Sequence, residues 1–124
     1  MESTGRKWKE TETITIVGRP ISKKNSKRAF RHVVLPSVAY VRFEKDALQQ
    51  LKAVKKHYSG DLDVSYSFTY KGKLWTDCDN AIAGLNDILQ KSGIIDDDKQ
   101  IKSGTFIVTT GKDWLTEIII SPLK

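Results

Sequence analysis

The sequence predicts an α+β (mixed α/β) domain in which one mixed sheet carries two helices packed mainly on one face. Three observations predict it. Runs with apolar residues at every second position mark strands; two stretches with apolar residues at three- and four-residue steps mark helices between them; and two further strand-like runs close the chain. The order is β-α-β-α-β-β, and helical crossovers between strands imply a mixed sheet rather than a meander. At 124 residues, with 39% apolar and 29% charged side chains, the chain reads as a single domain, 1–124, with its own core.

In chain order, residues 1–10 are polar and expected to form a frayed tail anchored only by Trp8. Glu12 to Gly18 alternates around Ile14 and Ile16 and reads as a strand, ended by Gly18-Arg19-Pro20. Arg19 to Arg31 holds six cations and no acid, and their mutual repulsion predicts a loop. Ser37 is a candidate N-cap for a helix over about 39–58 (Tyr40, Phe43, Ala47, Leu51, Val54, Tyr58), stopped by Gly60. His57 falls near its end and reads as a surface residue. Asp61 to Tyr70 alternates through Leu62, Val64, Tyr66 and Phe68 and is a strand, followed by a turn at Lys71-Gly72-Lys73. A second helix spans about 79–91 with Ile82, Leu85, Ile88 and Leu89 inward and Gly93 as its C′ residue. Strands over 101–110 and 113–121 are joined at Gly111-Lys112 as a hairpin. The nearly continuous apolar run Trp114, Leu115, Ile118, Ile119, Ile120 suits a central strand. That run also makes self-association an expectation.

The net charge of +6 and pI near 9.4 favour a polyanionic partner, most simply nucleic acid, against the alternative of a surface that is basic only for solubility. In the basic stretch, Lys23, Lys24, Lys27, Arg28 and Arg31, helped by Ser22, Asn25 and Ser26, are candidate phosphate contacts, with a solvated loop as the alternative. Lys73, in the turn before the second helix, joins the DNA-binding set. No apolar run approaches the roughly 20 residues that span a bilayer, so no membrane partner is expected. The single Cys78 excludes an internal disulfide and a Cys-rich zinc site, and the N-terminus lacks a secretory signal; a cytoplasmic protein is expected.

Against this basic background, the stretch from Trp75 to Gln100 holds six of the fifteen acids (Asp77, Asp79, Asp87, Asp96, Asp97, Asp98) and only two of the twenty-one cations, Lys91 and Lys99. Asp77 and Asp79 flank Cys78, and in an extended segment residues two apart point the same way. Hard carboxylate oxygens suit Mg²⁺ or Mn²⁺ better than zinc. A metal site would require the 93–98 loop to fold back, because a helix of about 13 residues travels about 20 Å. The alternative is structural: Thr76-x-x-Asp79 fits a capping box, and Asp96-Asp97-Asp98 fits an acidic surface turn.

Asp77-x-Asp79-Asn80, an apolar helix with Asp87-Ile88-Leu89, and Gly93-Ile94-Ile95-Asp96-Asp97-Asp98-Lys99-Gln100-Ile101 together resemble the RusA family of Holliday junction resolvases, as does the earlier Pro20-x-Ser22-Lys23-Lys24-Asn25 loop. The resemblance covers about 12–120. It implies a compact homodimer, dependent on Mg²⁺ with Mn²⁺ as a substitute, that nicks four-way DNA junctions symmetrically in recombination and repair. By the same resemblance Asp77, Asp79 and Asp98 are the catalytic metal-site residues, with Asp97 the other acid of the pair. One departure stands out. The family carries a lysine one helical turn after the second Asp of D-x-D-N, and this chain has Ala83. Lys73, Lys91 and Lys99 do not stand at the matching step, so slow cleavage is expected, or a branched-DNA-binding protein without turnover. A third reading, an RNA-binding protein of ribosomal type, leaves the acid cluster unexplained.

Overall fold

The computed structural model describes residues 11–21, 27–30, 33–72 and 78–123, with the backbone alone defined for 27–30 and 33–36. The frayed tail, and Lys23, Lys24, Asn25, Arg31, Lys73 and Asp77 among the predicted site residues, lie outside them. In order the elements are β1 (Glu12–Val17), β2 (Lys27–Phe30), β3 (Val33–Pro36), α1 (Val38–Leu51), β4 (Leu62–Tyr70), α2 (Cys78–Ser92), a 3₁₀ turn (Asp98–Gln100), β5 (Ile101–Ser103), β6 (Phe106–Thr110) and β7 (Leu115–Pro122).

The α+β expectation holds: five strands form one mixed sheet and two helices cover one of its faces. Strand alternation sets which side is covered. Ile14, Ile16, Leu62, Val64, Tyr66, Phe68, Ile118 and Ile120 are buried together, whereas their neighbours Thr15, Ser65, Ser67 and Ile119 are at least partly exposed. Onto this face α1 packs Tyr40, Phe43, Ala47 and Leu51, and α2 packs Ala81, Leu85, Ile88 and Leu89. Gly84 lets the helices approach closely, since a Cβ there would lie 3.3 Å from the Tyr40 ring. Ser37 caps α1 as expected, its Oγ accepting from the Tyr40 N–H at 3.0 Å.

Three expectations are corrected. The predicted hairpin of the last two strands does not form: β7 lies between β1 and β4, antiparallel to both, while β5 and β6 run parallel to β4 on its other side. A strand with Ile118 and Ile120 inward gains more from two neighbours and full burial than from an edge position; each such side chain contributes about 1.5–3 kcal/mol. Part of the expected basic loop is instead strand, as Lys27–Phe30 pairs antiparallel with Val33–Pro36. The β-branched Val33-Val34 run supplies a partner whose ladder outweighs the cationic repulsion. Helix α1 ends at Leu51 rather than near 58, because Tyr58 enters a parallel bridge with Ile95 and donates its N–H to the Ile94 carbonyl at 2.8 Å. Of the run that made self-association an expectation, Ile118 and Ile120 face the core, whereas Trp114 and Ile119 are half-buried.

The strand expected over 101–110 is interrupted at Gly104, which adopts φ +151° against β4. A Cβ at this position would overlap the Val64 carbonyl. Gly104→Ala should therefore destabilise the fold by about 3 kcal/mol, measured as a lowered denaturation midpoint; an unchanged midpoint would refute this packing.

Candidate functional site

Asp79 sits in the first turn of α2, exposed, at the edge of an open groove between that helix and the β5–β6 segment. The groove has a volume of about 360 Å³, and its lining includes Tyr66, Asn86, Lys102, Ser103 and Phe106 beside Asp79. Helical steps of three and four place Ile82, Asn86 and Gln90 below Asp79 on the same side of α2. The Tyr66 hydroxyl, pushed well above the usual phenol range by burial, stays protonated and donates to Asn86 Oδ1.

Past α2 the chain does turn back. Gly93 adopts φ +85°, its N–H bonds the Gln90 carbonyl at 3.1 Å, and the Ile94 N–H bonds that of Leu89 at 3.2 Å, which is a Schellman cap. Ile94 and Ile95 then plug into the core, each 1% exposed. The return is short, however. The Asp98 N–H donates to Gln90 Oε1 at 2.9 Å, which holds Asp98 at the C-terminal end of α2. Asp79 and Gln90 are separated by about 16 Å along the axis at 1.5 Å per residue. Within this chain, then, Asp97 and Asp98 stand apart from Asp79. Among the described residues no three His, Cys, Asp or Glu side chains are placed to hold a metal ion together.

The three consecutive aspartates have separate local roles. Asp96 Oδ1 lies 3.3 Å from His57 Nε2, whose Nδ1 is 2.7 Å from the Gly93 carbonyl. Asp97 caps the 3₁₀ turn by accepting from the Lys99 N–H at 2.8 Å, and this bond, with the Asp98 side chain beside it, holds the Asp97 carboxyl below the ordinary range. The residue that organises the turn is Gln100. Its Oε1 accepts from the N–H groups of Asp96 (2.7 Å) and Asp97 (3.0 Å), while Nε2 donates to the carbonyls of Tyr58 (3.1 Å) and Gly60 (2.9 Å). The acidic-turn alternative is thus a true description of Asp97, and Gln100 has the structural role that the D-D-x-Q spacing alone leaves unspecified.

Of the lysines weighed against Ala83, Lys91 is engaged by Glu44 at 2.7 Å and Asp87 at 3.4 Å. Lys99 is in the 3₁₀ turn with Asp98. Ala83 itself is exposed. The cation that borders the groove with Asp79 is Lys102, which sequence spacing did not single out. The Arg19 guanidinium, at the start of the basic stretch, lies 5.4 Å over the Trp114 ring, away from this groove. No described helix is long and apolar enough to cross a membrane. No protein-family model matches the chain, and no curated protein matches its sequence.

Removing the Gln100 amide leaves two carbonyls and two N–H groups to find other partners. Gln100→Ala should cost about 1–3 kcal/mol of stability in chemical denaturation and speed amide exchange at Asp96 and Asp97. Native-like exchange at those two amides would remove the clamp from consideration.

Proposed function

We propose that the chain is a Mg²⁺-dependent, structure-specific endonuclease that resolves four-way DNA junctions by paired symmetric nicks as a homodimer, with Mn²⁺ able to replace Mg²⁺. The observation that carries the reading is Asp79: an exposed carboxylate at the lip of an open groove of about 360 Å³, in a chain of net charge +6. The Asp77-x-Asp79-Asn80 motif and its resemblance to the RusA resolvases support the same reaction. Asp79 and Asp77 would offer hard oxygen ligands to the ion, which when bound makes an attacking water more acidic and offsets charge on the leaving oxygen. The basic segment containing Lys23, Lys24, Asn25, Lys27, Arg28 and Arg31, together with Lys73, would neutralise backbone phosphates around the junction.

Asp98 enters this reading under a condition. The turn that carries it is tied by Gln100 and Gln90, so a centre drawing on both Asp79 and Asp98 needs a second copy of the chain. Symmetric nicking of two strands also requires two sites. The separation of Asp98 from Asp79, with Ala83 exposed and uncharged, favours the second reading: a branched-DNA-binding protein without turnover.

Purified protein, an end-labelled synthetic four-way junction and Mg²⁺ decide between them. Nicks at symmetric positions are expected, with Asp79→Asn lowering the rate more than about a hundredfold while junction retardation persists. Full nicking by Asp79→Asn would sink the site assignment. Retarded but uncut junction at every divalent metal tested would establish the binder.

A further inference from the structure

We propose that the groove between α2 and β5 binds a single nucleotide unit of DNA, with Lys102 holding the phosphate that faces Asp79. The inference deepens the endonuclease reading and takes its choice of nucleic acid from it. The first observation is a break in the β4–β5 register. Leu62 pairs with Ile101, but Asp63 pairs with Ser103, so Lys102 is an extra residue in the ladder. A bulge of this kind breaks the two-residue alternation and re-aims side chains. Ile101, Lys102 and Ser103 all contribute to the lining of the one groove, and the Ser103 hydroxyl donates to Asp63 Oδ1 at 2.6 Å.

The second observation is what else borders the groove. Among the described residues Lys102 makes no ion pair and is the one cation lining the groove, whereas Lys91 is consumed by Glu44 and Asp87. Asp79 borders the same groove. A phosphodiester placed beside a carboxylate needs a positive charge on its other side, and an ammonium with its three donors supplies one. Further in, the buried Tyr66 hydroxyl occupies Asn86 Oδ1, which leaves Asn86 Nδ2 to donate to an acceptor on a base edge. Phe106, 44% exposed, offers an apolar face against which a base can stack. The volume of about 360 Å³ falls at the small end of ligand pockets, about 300–1,000 Å³. Gly104, where a Cβ would strike β4, keeps the bulged segment pressed to the sheet and so sets the groove's floor.

Two measurements on the whole chain test this. The first is titration with deoxythymidine 5′-monophosphate followed by NMR. The Asn86 side-chain amide and the Gly104 backbone amide should shift, and Lys102→Met should weaken binding about tenfold or more while leaving the amide spectrum outside the groove intact. The second is junction nicking, where Lys102→Met should lower the rate about a hundredfold with junction affinity within about threefold, Lys102→Arg should recover part of it, and Ala83→Lys should restore part of it in the Lys102→Met background. Shifts without nicking by any variant would overturn the endonuclease reading and leave the groove site standing. Normal nicking by Lys102→Met, or no shift at Asn86 and Gly104, overturns the inference and leaves the endonuclease reading untouched.

Discussion

The architecture depends on the burial of β7 between β1 and β4. Ile118 and Ile120 on one side of this strand, with Thr116 beside them, are fully excluded from water, and both flanking strands pair with it antiparallel. Once the last strand of the chain occupies the centre of the sheet, β5 and β6 have only the far side of β4 left to them, and they reach it in parallel. That placement creates the groove, because the segment from α2 to β6 must run beside α2 along an edge of the sheet rather than beneath its middle. The groove is therefore a consequence of sheet order, and it would not exist had the last two strands closed as a hairpin.

A second constraint acts locally. Gln100 joins the acidic turn to the chain at Tyr58 and Gly60 through four hydrogen bonds from one amide. It ties the segment that follows α1 to the start of the one that follows α2, beside the Tyr58–Ile95 bridge that accompanies the early end of α1. Carboxylates adjacent in sequence thereby act on different partners. Asp96 faces His57, Asp97 caps the turn, and Asp98 is held at Gln90. A single chain presents Asp79 alone, of these four, to the groove.

Much of the fold was legible because it rests on short-range physics. The Ser37 cap, the Schellman turn at Gly93, the return of Ile94-Ile95 into the core and the inward parity of β4 all follow from residues within a few positions of one another. Of the candidate site, the placement of Asp79 on the opening turn of a helix was legible for the same reason. The place of Lys102 in the groove's lining was not, because it lies at a register step between two strands some 40 positions apart.

The sequence by itself determined the types of the main elements, the side of each that is buried and the acidic patch in a basic chain. Those properties are carried by periodicity, capping and charge, which act over a few residues. Only the tertiary structure decided the strand order, the end of α1, the separation of Asp98 from Asp79 and the presence of Lys102 in the lining of the groove. Each of these is settled by competition among long-range pairings, and the winning partner is chosen by total burial and hydrogen bonding across the whole sheet.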